Sequence, residues 1–251
     1  MPGGGFTEQI DASMERASAA LSRTDYFEAE HLALRALRTA HNSQDHERMA
    51  RICMPLQEAR RQIRQAACDA GSIAVLDTQT ALNDVLVADP SDFQPGCYLV
   101  QPPLIGLDGK TVREVILRSR VPVMVITREP RTRAGKWPVV AVGKTTIRAQ
   151  VDPPADAKPD DKIMAKDRIE GPPPVSWFEN ASEQLGDQAI RMIDTGLHPW
   201  YQVDDLMEVL ESVPQHEKLH QALMATCRAA FEAGEPTEPR PRSRDDDLRS
   251  F

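Results

Sequence analysis

The stretch C-Y-L-V-Q-P-P-L-I-G-L-D-G-K-T-V-R-E-V-I-L-R-S-R-V-P-V-M-V-I, Cys97 to Ile126, decides the fold. Its two ends, Cys97–Val100 and Val121–Ile126, are short apolar runs of the kind that form buried strands. Between them, about Val112 to Ser119, apolar residues return at helical spacing. Strand, helix and strand in this order imply a crossover and two parallel strands, because parallel neighbours need a long connection. Working outward, Ile73–Leu76 is another β-like run, ending at Asp77. Downstream, Trp137–Val142 is a fourth. The link Arg128–Lys136 is short and basic, so this last strand is expected to pair antiparallel with the third. Residues 72–150 therefore read as a compact α/β layer.

Helices flank this layer on both sides. In residues 8–22, Ile10, Met14, Ala17 and Leu21 form one apolar stripe, and Thr24 with Asp25 break it. A second helix sets Ala29, Ala33, Ala36 and Ala40 on one face with Leu32 and Leu37 beside them, ending at Asn42 and Ser43. A third spans about Asp45 to Ala70, with Pro55 expected to kink or restart it and Gly71 to cap it. After a proline-rich linker at 151–175, Trp177, Ala181 and Leu185 lead a further helix. Asp204 is read as the cap of a helix carrying Leu206, Met207, Val209 and Leu210. The last helix is expected from about Gln215 to Ala233, and 234–251 as a disordered tail. The expected organisation is mixed α and α/β. Helical hairpins fill 1–71, the α/β layer 72–150, the linker 151–175, helices 176–233 and the tail 234–251.

The segment T-D-Y-F-E-A-E-H-L-A-L-R-A-L, Thr24 to Leu37, resembles the core of a tetratricopeptide repeat. Asp25-Tyr26 supply the turn and aromatic, and Ala29, Ala33 and Ala36-Leu37 match the small and large apolar positions of the family's second helix. Small side chains suit close antiparallel helices. The resemblance covers about one repeat. Ser13 and Ala17 stand where the family's first helix carries a large aromatic and a glycine. The resemblance implies antiparallel helical hairpins and a role in binding a protein partner, and it assigns no individual binding residue.

Composition narrows the classes. The chain has 251 residues, a formal net charge of -8 and only 5% aromatics. An acidic balance argues against a large nucleic-acid surface. Cys53, Cys68, Cys97 and Cys227 form no C-x-x-C pair and read as reduced core thiols. No apolar run approaches the ~18 residues of a membrane span, and the opening M-P-G-G-G-F has no basic stretch leading into an apolar one. A cytoplasmic protein without membrane partners is expected.

Two motifs carry possible chemistry. H-E-K-L-H, His216 to His220, resembles the H-E-x-x-H zinc site of zincin metalloproteases. Histidines at i and i+4 share a helix face and can reach one ion, with Glu217 as base. Pro214 sets the motif in a first turn, Lys218 adds a cation, and no third ligand follows. The alternative is two histidines bordering a helix interface.

The second motif is L-D-G-K-T, Leu107 to Thr111, in the strand-to-helix context of a phosphate loop. The glycine that such a loop starts with would fall at Leu104, and the residues also read as an Asp108-Gly109 turn followed by a Thr111/Glu114 capping box. Ligands of α/β sheets sit at strand C-terminal ends, so Asp77, Lys110, Thr111 and Arg128 are the candidate ligand-binding residues, and His216 and His220 the candidate metal ligands. The cluster Arg60, Arg61 and Arg64 suggests phosphate or RNA contact, but no aromatics interleave to stack bases, and it reads as a solvated face paired with acids such as Glu58. With no convincing catalytic set and no cofactor implied, an interaction or assembly module leads. A small-ligand or nucleotide-binding α/β protein is second, and a metal-dependent hydrolase using His216, Glu217 and His220 is third.

Overall fold

The computed structural model describes residues 4–158, 168–169 and 171–241. Among these are eight α-helices and a five-stranded mixed sheet. Three helices come first: α1 (Gly4–Ser22), α2 (Tyr26–Asn42) and α3 (His46–Asp69). Each hairpin turn is built the same way. Thr24 (φ 60) and Gln44 (φ 56) take the left-handed conformation. The aspartate that follows each one caps the next helix: Asp25 accepts from the Glu28 N–H at 3.2 Å, and Asp45 from the Arg48 N–H at 3.0 Å. Each such cap contributes about 1 kcal/mol. Ala29, Ala33, Ala36 and Ala40 are buried, so α2 sits closely between its neighbours. The helix α3 runs through Pro55 without interruption, and Gly71 (φ 64) follows its end in the left-handed region.

The sheet comes next. Strands β1 (Ile73–Leu76), β2 (Gly96–Val100) and β3 (Val123–Arg128) pair in parallel. The connections are α4 (Gln79–Val87) with a short 3-10 turn at Pro90–Asp92, and α5 (Gly106–Arg118). Strand β4 (Trp137–Val142) pairs antiparallel with β3, Thr127 opposite Val140, as the short basic link predicts. The run after Gly143, which sequence reading left without an element, is a fifth strand, β5 (Thr146–Val151), antiparallel to β4. It alternates exposed and buried residues, as an edge strand with one covered face should.

The linker expectation for 151–175 needs correction where the structure describes it. Val151 ends β5, and Ala157–Lys158 (β6) pairs with Arg168–Ile169 (β7). The remainder, 159–167 and 170, lies outside the described residues, as does 242–251 of the expected tail. The chain closes with α6 (Val175–Arg191), α7 (Pro199–Ser212) and α8 (Glu217–Ala233). The cap of α7 is His198, followed by Pro199 at the first helical position, whose fixed φ suits a helix start. Asp204 lies inside the helix and pairs with His41 at 2.7 Å, which corrects its reading as a cap.

One face of the sheet carries α4 and α5, enclosing Leu82, Phe93, Val100, Val112 and Ile116. The other face, with Leu99, Met124, Ile126 and Val139, joins a core that continues through α2, α3, α6, α7 and α8. Trp177 and Phe178 of α6 stack edge-to-face, and Trp177 meets Trp137 the same way. Helices from both ends of the chain thus cover one side of the sheet, and α3 packs along α8. All four cysteines are buried and unbridged. No helix among the described residues is long and apolar enough to cross a membrane.

Candidate functional site

The candidate site is a cleft of about 310 Å³ where α2, α3, α5 and the end of α7 meet. Its position follows from how α5 starts. The Asp108 carboxylate accepts the Ile105 N–H at 2.8 Å and closes the first turn, so the helix begins at Gly106. The expected start at Val112 with a Thr111/Glu114 capping box is therefore corrected. Asp108 and Gly109 lie within the helix, and the Thr111 hydroxyl donates to the Leu107 carbonyl at 2.9 Å. Gly109 faces Thr127 of β3, where an added Cβ would overlap Thr127 Oγ1. The glycine lets α5 lie close on the sheet and turns Lys110 and Arg113, three residues apart, toward the cleft.

Four cations line this cleft: Arg38, Arg60, Lys110 and Arg113. Glu30, Glu114 and Glu211 line it too, and Leu34, Leu37, Leu117, Met207 and Leu210 give it an apolar wall. Arg60 is buried, its Nε donating to Glu30 at 2.8 Å and its Nη1 to the Pro214 carbonyl at 3.3 Å. This corrects its reading as part of a solvated face. Arg61 does pair with Glu58, at 2.7 Å, and Arg64 bridges Glu183 and Glu217. Arg38 with Glu211, and Lys110 with Glu114, are each 4.0 Å apart, at the limit of an ion pair.

Arg113 differs from the rest. Its guanidinium is closely surrounded by protein although the side chain keeps some exposed surface. Burial pushes its pKa below the usual arginine value, yet an arginine keeps its charge. Among the described residues its one side-chain bond is from Nη1 to the Ser212 carbonyl at the end of α7, 3.0 Å away. No carboxylate among the described residues forms an ion pair or hydrogen bond with it, although Glu114 and Glu30 act on its charge through space.

The ligand-binding residues expected from sequence do not come together. Lys110 lines the cleft; Asp77, Thr111 and Arg128 do not. Asp77 is half-buried at the end of β1. Arg128 is buried and donates to Gln101 Oε1 through Nε at 3.1 Å and Nη2 at 2.9 Å. Its guanidinium lies 4.4 Å from the centre of the Trp137 ring.

The expected metal pair also separates. His216 is the residue before α8, not within it. It faces Glu183 and Asp187 of α6, with Nδ1 3.6 Å and Nε2 3.4 Å from their carboxylates. His220 is turned the other way: its Nε2 lies 2.9 Å from the Pro214 carbonyl, and burial depresses its pKa to about 3. The ligand atoms that gather within 4.8 Å of one another belong to Glu183, Asp187 and His216, without His220.

Sequence reading missed Arg113 and Arg38 as site residues and set Arg60 aside in a solvated basic cluster. The only local signal was the spacing of Lys110 and Arg113 on one helix, since the other two cations come from distant helices. Comparison with family models, with curated proteins and with solved structures finds no match for this chain.

Proposed function

We propose that this protein binds a small organic anion, a phosphate or carboxylate on an aliphatic or sugar-like body, in the cleft at Arg113. The observation that carries the reading is an enclosed guanidinium that faces a cavity and has no described carboxylate partner. A buried charge is costly unless paired, and an anion in the cavity would supply the pairing in a forked geometry. Lys110 and Arg38, whose own ion pairs are long, are available to the same ligand. The cavity is at the small end of ligand sites. No aromatic side chain among the described residues lines it, which disfavours a stacked nucleobase. Glu30, Glu114 and Glu211 would accept from ligand hydroxyls. Thermal unfolding against inorganic phosphate, sugar phosphates, dicarboxylates and nucleotides tests this. A ligand at ~100 times its Kd adds ~2.7 kcal/mol. An upward shift with a small phosphate or carboxylate that vanishes in Arg113→Met supports the reading, and an unchanged midpoint across the panel refutes it.

A second reading, a protein-interaction module, is favoured by the recurrence of one turn design at Thr24-Asp25 and Gln44-Asp45, which suits stacked tetratricopeptide-like hairpins. Phe6 of α1 and Met54 of α3 expose large apolar side chains, at 55% and 64%. Changing both to serine should then remove a co-purifying partner while the unfolding midpoint stays in place. Retention of the partner would count against this reading.

A further inference from the structure

We infer that Glu183, Asp187 and His216 form a divalent-cation site joining α6 to the start of α8, with zinc the ion that best fits the donors. The two carboxylates stand on α6 on either side of Gly186. The His216 ring lies against that glycine, where an added Cβ would overlap the ring atoms. Only glycine at this position lets the imidazole reach the helix backbone, and the ring then sits between the two acids.

His216 is 1% exposed, and neither ring nitrogen has a hydrogen-bond partner among the described residues. Nδ1 faces Glu183 Oε2 and Nε2 faces Asp187 Oδ1, at 3.6 and 3.4 Å. A buried imidazole with two unmet nitrogens beside two carboxylates is an incomplete polar site. An ion would complete it. The three donor atoms lie within 4.8 Å of one another, and a zinc ion with bonds of about 2.0–2.2 Å needs them about 3.4 Å apart. Both carboxylates belong to half-buried side chains that can close the remaining distance. Imidazole plus carboxylate suits zinc better than magnesium.

Two neighbouring cations shape the site differently. Arg64 holds Glu183 through Oε1 at 3.1 Å, leaving Oε2 turned toward His216, and so orients a ligand. Lys218 reaches Asp187 Oδ1 at 2.9 Å and Glu183 Oε2 at 3.5 Å, the very oxygens that face the ring. Its side chain is 57% exposed and free to leave. The ammonium bridges the two carboxylate oxygens that the ion needs, and metal binding must displace it. Lys218 is thus a built-in competitor, and removing it should tighten binding.

The test is calorimetric titration of the chelator-treated full chain with zinc chloride, followed by cobalt(II) absorption spectra. The expected result is one ion per chain, lost in Glu183→Gln and Asp187→Asn, kept in His220→Gln, and bound about fivefold more tightly in Lys218→Ala. His216→Ala should also lose the ion, and the two carboxylate variants keep the test sound should that one fail to fold. Cobalt should give d–d bands without thiolate charge transfer. Absence of stoichiometric binding in both the wild type and Lys218→Ala would overturn the inference. So would binding untouched by the carboxylate changes, or a thiolate band placing the ion on the cysteines.

Discussion

Arg128 and Arg113 are both arginines enclosed by protein, about one helix apart in the chain, and they have opposite surroundings. Arg128, at the end of β3, is 1% exposed, bonded twice to Gln101 and stacked on the buried Trp137. The fold itself answers its charge and its planar face. Arg113, on α5, has one carbonyl at the end of α7 and then a cavity. Internal satisfaction marks a structural group, and an enclosed charge opening on space marks a site. Sequence reading nominated Arg128 because it stands at a strand end and passed over Arg113. Position along the chain is therefore a poorer guide to function than what completes each donor set.

Five substitutions test this contrast. The largest stability effect is expected at Arg128. Arg128→Ala removes the stacking on Trp137 and leaves Gln101 without its donor, at a cost of about 2–4 kcal/mol in urea unfolding. Its anion response should be unchanged. Gly109→Ala should cost about 1–3 kcal/mol by forcing α5 off Thr127, and should weaken anion binding as Lys110 and Arg113 shift. Arg113→Met should change stability by no more than about 1 kcal/mol, since methionine keeps the aliphatic packing and the loss is the one hydrogen bond to the Ser212 carbonyl. The same variant should weaken anion binding about 10–100-fold, the worth of a charge-assisted contact. An Arg113→Met that unfolds the protein as Arg128→Ala does would erase the distinction. Lys110→Ala, at a half-exposed position, should weaken binding only about two- to fivefold. Thr111→Ala should do nothing to it, because the hydroxyl is already bonded to Leu107.

Much of the fold was legible and little of the site was. The parallel strands, the antiparallel β4 and the three N-terminal helices follow from apolar spacing, because burial leaves its period in the sequence. The start of α5 was missed by about two turns, because the cap that sets it is the Asp108 side chain reaching back to Ile105, in a run whose Gly106 and Gly109 look like a turn. Strand β5 was missed because T-I-R-A-Q-V alternates over a short edge and no partner signal stands beside it. The cleft was illegible for a different reason. Arg38, Arg60, Lys110 and Arg113 lie on three helices, and the chain says nothing about which faces will meet. Likewise H-E-K-L-H drew attention to two histidines that the helix start turns apart, while the carboxylates facing His216 sit some thirty residues upstream, at Glu183 and Asp187.

The most direct measurement follows the arginine side-chain Nε–H resonances by NMR while the best small anion from the unfolding panel is titrated in. The Arg113 resonance should shift and saturate with the binding curve while that of Arg128 stays fixed. An Arg113 resonance that does not move as the anion binds, or one that moves no more than that of Arg128, would contradict the proposed anion site.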